Sequence, residues 1–436
     1  MSQSRQLLEN FFDDGSFTEI NPGQKTAITG FGAVGGCPVY VFCQTGETAF
    51  SSAESARLLK IYALAEKNGA PLFSIFNSKG ADLKEGIGVI KNFEDIIKAA
   101  TDLSGVVPQI SLITGNCMGS LALTALVSDF VFMTKDAQLF LSPPFLSRDK
   151  AEDAGKAEAC LTSGAAHLVC KDEESAFAKI KELIAFLPAN NLDSAPLVEF
   201  AGESVCSLNE PRKLAEELAD NGTFYELQKE YGSACFTAFA FIGGRAAGMI
   251  GTDKAGGRIG SNDANKAARF IAFCDAFSIP LLTLIDNEGF ELSAKNEAAG
   301  SIRDAAKLAG IYAESTMPKV RLICGDGVGA SLAAFSGADL TYALNGALLT
   351  TLPVEAAVDI LYSDELAASG DIQADRAKFA DKYKNEYASA GVAAEKGYVD
   401  GVITAAEVPA VIAAAFDILD GKRILKTPKK RSNLTL

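Results

Sequence analysis

The chain has 436 residues, 48% hydrophobic and 22% charged, with a net charge of −15 and one histidine, His167. That length predicts two or three domains with full cores, at roughly 100–200 residues each, and the composition is globular rather than disordered. The acidic balance argues against nucleic-acid and anionic-membrane binding, which rest on Lys and Arg, and a single histidine all but excludes a Ser-His-Asp triad or a His-rich metal site.

The nine cysteines are scattered without a C-x-x-C pair, the pattern of reduced core thiols in a cytoplasmic protein. The first ten residues lack a signal-peptide pattern. The apolar stretch at 117–134 is broken by Asp129, and no apolar run reaches membrane-spanning length.

Arg5 to Ile20 reads as a short helix closed by an Asp13-Asp14-Gly15 turn. Strands are expected at 26–30 and 37–43, then a helix over about 52–68 and a buried strand at Leu72–Phe76. A helical stretch leads to an apolar strand at 109–113, and a glycine turn opens a helix over 118–128. The succession then returns. Arg212 to Leu227 matches Arg5 to Ile20 at an offset of 207. Strands follow at 234–241 and 245–251, a helix at 262–277, strands at Leu281–Ile285 and 319–323, and a helix at 329–337. Pro108, Gly119, Asp129 and Pro143 stand opposite Pro318, Gly329, Asp339 and Pro353 at a constant offset of 210. Two copies make a duplicated domain, not a solenoid. Strands alternating with helices imply α/β layers, and the Pro- and Asn-rich stretch 186–211 reads as the linker.

Two glycine patterns imitate a dinucleotide fingerprint. Gly30 to Gly35 lies between two strands, so a hairpin turn is expected there. Gly325 to Ala330 does follow a strand and open a helix, yet the next strand, near 347–352, supplies no acid for a ribose. Each half instead carries two glycine turns: Ser78-Lys79-Gly80-Ala81 and Met118-Gly119-Ser120, then Asn287-Glu288-Gly289-Phe290 and Val328-Gly329-Ala330. Such turns either pack strand against helix or expose backbone N–H groups. Two donors converging on one point make an oxyanion hole. His167 reads as a structural residue. Asp286, Glu288 and Glu85 read equally as acid–base groups or solvated strand ends. The basic run Lys422, Arg423, Lys426, Lys429, Lys430 and Arg431 reads as a solvated tail or subunit contact.

At these turns the sequence resembles the carboxyltransferase subunits of biotin-dependent enzymes, among them propionyl-CoA carboxylase beta subunits, transcarboxylase, and the alpha subunits of methylmalonyl-CoA and glutaconyl-CoA decarboxylases. Asn265 to Phe290 is similar to the family's K-A-A-R-F-x-x-x-C-D-A-F-x-I-P-L signature, and Asn77 to Gly86 to its D-S-G-G-A-R-x-x-E-G. Val107 to Gly119, the SGAAHLV around His167, residues 393–403 and Pro428 to Asn433 also fit. The resemblance spans essentially the whole chain.

It implies an α/β chain of two tandem crotonase-like (ClpP/crotonase) ββα-superhelix domains. Residues 1–210 would form the acyl-CoA side and 211–436 the biotin side. Catalysis would fall to Gly119, Ser120, Gly329 and Ala330, and substrate binding to Gly80, Ala81, Gly289 and Phe290. One hole would hold the thioester enolate oxygen and the other the biotin ureido oxygen, with the biotin nitrogen taking the α-proton. No Ala-Met-Lys-Met biotinylation motif occurs, so biotin is expected on a biotin carboxyl carrier protein. A biotin carboxylase or a membrane decarboxylase subunit would complete the assembly. The site would form between the first half of one subunit and the second half of another, which needs at least a dimer, with hexamers usual in the family.

The chain departs from the family at Lys79, Asp82, Ser120, Glu288 and Val328. Ser120 and Val328 would be strained if their positions demanded φ > 0. Two other readings stay open: a catalytically silent scaffold paralogue, and a biotin-independent crotonase-type acyl-CoA enzyme.

Overall fold

A computed structural model describes residues 3–23, 25–46, 48–142, 153–200, 202, 204–424 and 428. The chain forms two compact units, residues 1–196 and 197–436. The boundary falls inside the Pro- and Asn-rich stretch for a local reason. Asn190 Nδ2 and the Asn191 N–H donate to the carbonyls of Gly69 (2.9 Å) and Val106 (3.0 Å) in unit 1. The Val198 N–H donates to the Gly244 carbonyl (2.7 Å) in unit 2.

Unit 1 begins with α1 (Gln3–Phe11), β1 (Thr18–Ile20) and the hairpin β2 (Ala27–Val34) and β3 (Cys37–Gln44). Its turn is Gly35-Gly36, with φ of +57° and +80°, the left-handed pair a two-residue hairpin needs. Asp13 holds that turn: its carboxylate accepts from the Gly35 (2.9 Å) and Gly36 (2.8 Å) N–H groups. Gly30 and Gly32, expected in the turn, lie within β2. A Cβ there would come 2.5 Å from the Thr18 carbonyl oxygen or the Phe12 ring, so these glycines admit the returning chain rather than bend it.

There follow β4 (Thr48–Phe50), α2 (Ser52–Asn68), β5 (Leu72–Phe76), β6 (Ser78–Ala81) and α3 (Ile87–Leu103). Then come β7 (Gln109–Ile113), β8 (Asn116–Met118), α4 (Ser120–Val127), β9 (Phe130–Thr134), β10 (Gln138–Phe140), α5 (Ala157–Thr162), β11 (Leu168–Cys170) and α6 (Glu173–Ile184). A Ser51/Glu54 capping box starts α2, and Gly69 in the left-handed region stops it. The main sheet runs β1-β2-β3-β5-β7-β9-β11, parallel from β3 onward. Every residue of β5, β7 and β9 is buried, as expected when helices cover both faces. The pairs β4–β6 and β8–β10 form separate two-stranded sheets. Phe42, Phe50, Phe76, Phe93 and Leu121 share one core cluster, each worth about 1.5–3 kcal/mol on burial.

Unit 2 repeats the plan with α7 (Pro211–Leu218), β12 (Tyr225–Leu227), β13 (Cys235–Ile242), β14 (Arg245–Asp253), α8 (Ser261–Ala276) and β15 (Leu281–Asp286). It continues through α9 (Ala294–Ala299), α10 (Ser301–Glu314), β16 (Lys319–Ile323), β17 (Asp326–Val328), α11 (Gly329–Ala333), β18 (Leu340–Leu344) and β19 (Leu348–Thr350). The rest is α12 (Val354–Leu361), α13 (Ser363–Ala367), α14 (Ile372–Tyr383), α15 (Ala390–Glu395), β20 (Gly401–Ile403) and α16 (Val408–Leu419). The sheet order β12-β13-β14-β15-β16-β18-β20 mirrors unit 1, and β17–β19 mirrors β8–β10. The helix expected at 329–337 stops at Ala333, and Gly337 takes φ +82°. Helices α12 to α14 carry a small core of their own around Val358 and Leu366. Pro143 lies outside the described residues.

Candidate active site

In unit 1 the strand β6 lies beside both β4 and β8. Gly80 takes φ +98°, the left-handed region that favours glycine, and faces the Met118 side chain, which a Cβ would meet at an ordinary 3.5 Å. Its own N–H is engaged, donating to Ser78 Oγ at 3.1 Å. Ala81 pairs in register with Phe50, and the Asp82 N–H donates to the Phe50 carbonyl at 2.9 Å. Successive backbone groups of a strand alternate in direction, so the Ala81 N–H points away from β4. Gly119 sits at φ +62°, ψ −132°, ahead of α4, and its N–H donates to the Phe140 carbonyl at 2.9 Å. Ser120 is the first helical residue, whose N–H has no acceptor one turn back.

Unit 2 reproduces this arrangement. Gly289, at φ +112°, donates its N–H to Asn287 Oδ1 at 3.1 Å. Phe290 bridges Ile259, the Ile259 N–H donates to the Gly289 carbonyl (3.2 Å), and the Glu291 N–H donates back to the Ile259 carbonyl (2.9 Å). The Phe290 N–H therefore points to the opposite side. Gly329, at φ +51°, begins α11. Phe290 and Ala330 line one cavity of about 260 Å³, together with Ile259, Ala264, Ile302 and Ala305. Val328 has φ −114°, and neither it nor Ser120 is among the positive-φ residues. The glycines beside them carry the left-handed turns, so neither departure is strained.

The acidic candidates are fasteners. Asp286 Oδ1 accepts from the Asp326 N–H (2.8 Å) and from Lys254 Nζ (3.3 Å), and Lys254 also reaches Asp326 Oδ2 (3.2 Å). Burial raises the Asp286 carboxyl above its usual range, against the pull of the Asp326 N–H and Lys254. Glu288 is exposed and pairs with Arg258, whose Nη1 also donates to the Glu288 carbonyl at 2.5 Å. Glu85 accepts from the Ser52 N–H (2.9 Å) and Ser52 Oγ (2.6 Å), which ties the segment after β6 to the start of α2. His167 is buried, and its Nδ1 accepts from the Val131 N–H at 3.1 Å. Lys422 donates to the Met317 carbonyl and Asp339 Oδ2, both at 2.7 Å; Lys426, Lys429, Lys430 and Arg431 lie outside the described residues.

All nine cysteines are unbridged, and eight are buried. Burial pushes the Cys43 thiol up to about 12 and Cys160 to about 11, so neither is a thiolate at neutral pH. Among the described residues no cluster of His, Cys, Asp and Glu could hold a metal ion, and no helix is long and apolar enough to cross a membrane. Sequence reasoning missed Asn287 and Ser331 as partners. Ser331 Oγ bonds to Asn287 Oδ1 and lies 2.6 Å from the Val328 carbonyl. Two polar residues following strands 44 positions apart carry no spacing signal.

Residues 28–434 match the carboxyl transferase domain family. The chain is 32% identical to the methylmalonyl-CoA decarboxylase alpha subunit of Veillonella parvula, over 99% of this chain and 93% of that one. It is 31% identical to the propionyl-CoA carboxylase beta chain of Roseobacter denitrificans, again over 99% and 93%. The crystal structure of transcarboxylase 12S, a hexamer with methylmalonyl-coenzyme A bound, superimposes with a TM-score of 0.92 at 30% identity, covering 99% of this chain and 92% of that one. The chain is thus a member of the carboxyl transferase family, an α/β enzyme of two tandem crotonase-like domains.

Proposed function

We propose that the chain is an acyl-CoA carboxyltransferase subunit that moves a carboxyl group between biotin and a small acyl-CoA. The acyl-CoA side is unit 1, inside the expected 1–210, and the biotin side is unit 2, which takes in the expected 211–436. The observation that carries this reading holds at both turns of unit 1 and at the first turn of unit 2. The turn glycines Gly80, Gly119 and Gly289 spend or orient their own N–H groups in structure, and the next residue presents the donor. The donors are Ala81 and Ser120 in unit 1, and Phe290 and Ala330 in unit 2. The glycines Gly80, Gly119, Gly289 and Gly329 shape the turns.

In unit 1 the Ala81 and Ser120 N–H groups hold the thioester oxygen as it gains charge in the enolate. One such donor is worth about 2.7–4 kcal/mol of transition-state stabilisation. In unit 2 the apolar residues Ile259, Ala264, Ile302 and Ala305, in the cavity that Phe290 and Ala330 also line, suit a neutral fused ring bearing a ureido oxygen. Biotin, when bound there, supplies the carboxyl-bearing nitrogen and takes up the α-proton. This chain's part is to bind, to orient and to hold the oxygens, which suits a site without a thiolate or an available imidazole. Biotin arrives on a partner carrier protein, alongside a biotin carboxylase or a membrane decarboxylase subunit, and the working form is at least a dimer and by the transcarboxylase precedent a hexamer.

The test offers malonyl-, methylmalonyl- and glutaconyl-CoA separately to purified protein with excess free biotin, and follows each ester by mass spectrometry. Biotin-dependent loss of the carboxyl group from one ester is expected. Loss without biotin would replace the reading with a crotonase-type enzyme. Absence of both turnover and CoA-ester binding would replace it with a scaffold.

A further inference from the structure

We propose that Asn287 and Ser331 are positioning residues. They form a buried joint that locks the two donor loops of unit 2 to one another. The inference rests on the reading of the Phe290 and Ala330 N–H groups as the biotin-side donors.

Asn287 is 1% exposed and Ser331 0%. Asn287 Oδ1 accepts two donors from two different loops: the Gly289 N–H at 3.1 Å, and the Ser331 hydroxyl. Ser331 Oγ also lies 2.6 Å from the Val328 carbonyl of its own loop, and its single proton serves one of these two oxygens at a time. Asn287 Nδ2 donates to Thr252 Oγ1 at 3.2 Å, and that same hydroxyl accepts the Asp286 N–H at 3.2 Å. So one side-chain amide is anchored to the end of β14, braces the turn that aims the Phe290 N–H, and clasps the turn that carries Ala330. The Gly289 N–H fixes which amide atom faces it, because a donor there requires the oxygen.

Among the described residues unit 1 has no counterpart. Ser78 stands in the place of Asn287 and serves the Gly80 N–H, but the residue in the place of Ser331 is the buried Leu121. The joint therefore belongs to the unit 2 loops and not to the fold in general. Its chemistry is that of a spacer. Without it the turns themselves lose their direct tie and keep the strand-end bonds of Asn287 N–H and Asp286 to Asp326, and a misplacement on the order of 1 Å costs about 10²-fold in rate.

The test measures biotin-dependent decarboxylation of methylmalonyl-CoA by the full chain and by Asn287→Ala, Ser331→Ala and the double variant, with amide hydrogen exchange on the same samples. Asn287→Ala is expected to lower kcat about 100-fold and Ser331→Ala about 10-fold, with KM for the acyl-CoA within about twofold. The double variant is expected to fall no further than Asn287→Ala, because the two act as a unit. Ser331→Ala is also expected to raise exchange at 287–290, in the loop it does not belong to.

Unchanged kcat in a folded variant, a loss carried by acyl-CoA KM, full additivity, or exchange confined to the mutated loop would each overturn the joint. Should Asn287→Ala not fold, Ser331→Ala, which removes one hydroxyl, decides alone. Should the wild-type chain turn over no acyl-CoA, the proposed function fails, and the exchange readout still decides the joint.

Discussion

In unit 1 the first donor loop is braced by Ser78 and tethered from outside by Glu85, whose carboxylate grips Ser52. In unit 2 the same loop is braced by Asn287 and tethered by Arg258 on Glu288. The strand ends beneath differ as well. Gln44 Oε1 accepts the Asn77 N–H in unit 1 (3.1 Å), while Lys254, Asp286 and Asp326 form an ionic cluster in unit 2. What the units share is backbone: Gly80 and Gly289 at φ +98° and +112°, Gly119 and Gly329 at +62° and +51°. The duplication has kept the turns that only glycine adopts cheaply and exchanged the side chains that hold them. A backbone hole depends on where N–H groups point, so any side chain that supplies the needed acceptor serves.

The sharpest way to break this comparison is to delete one donor and nothing else. Ser120 is the first residue of α4, a position where proline is tolerated because the N–H has no helical partner. Ser120→Pro is expected to leave the melting temperature within a few degrees and to lower acyl-CoA turnover about 10²–10³-fold. Steady-state kinetics beside thermal unfolding checks it. Full activity in a folded Ser120→Pro variant would remove Ser120 from the hole.

The tethers come next in size. Glu85→Ala frees the segment after Gly80 and Ala81 from α2 and is expected to lower kcat about tenfold by loosening one donor. Arg258→Ala removes a partly exposed ion pair, with Glu288 57% accessible, and the bond to the Glu288 carbonyl, and is expected to cost less than Glu85→Ala, since exposed ion pairs are worth about 0–1 kcal/mol. Equal losses would mean that the two loops are held alike after all.

Much of this was legible in the sequence, for physical reasons. Glycines needing positive φ, prolines at strand entries and all-apolar strands repeat at fixed offsets, so the duplication, the sheet strands 72–76 and 109–113 and the four turns follow from pattern. Gly30 and Gly32 misled, because a glycine cleared for a neighbouring backbone looks like one cleared for a turn. Which N–H in each turn is spare could not be read, since that depends on the acceptors at Phe140, Ser78 and Asn287. The Asn287–Ser331 joint was invisible because its members meet only through the fold.

The hairpin turns offer a test by stability alone. Asp220 is 2% exposed and accepts from the Gly244 N–H (2.7 Å) and Ser204 Oγ (3.2 Å). Its counterpart Asp13 is half-buried and holds the two glycine N–H groups of an exposed turn. Asp220→Ala strands the buried Gly244 N–H and is expected to cost about 2–3 kcal/mol, against about 1 kcal/mol for Asp13→Ala, whose donors reach water. Denaturant unfolding of both variants decides it, and equal costs would erase the distinction.

The smallest effect is a difference in the sign of a pH slope. The Gly36 and Gly35 N–H groups hold the Asp13 carboxyl below its ordinary 3.8. Its ionised form is thus favoured by folding, and its contribution is present above 3.8 and lost as pH falls through the lower folded value. Burial raises Asp286 above 3.8, so the folded state binds that proton more tightly than the unfolded one. Its contribution is full below 3.8 and lost as pH rises through the raised value. The stability gap between wild type and Asp286→Asn is therefore expected to widen as pH drops from 7 towards 3.8. The gap to Asp13→Asn is expected to hold steady over that range and to narrow only below it. Unfolding midpoints for the three proteins across pH 3–7 measure both gaps. Parallel slopes for wild type and Asp286→Asn would show that the Lys254 and Asp326 contacts cancel the burial of Asp286. A gap that narrows below 3.8, as for Asp13, would show that they outweigh it, and that the charged strand end of unit 2 holds its loops by attraction where unit 1 manages with neutral amides.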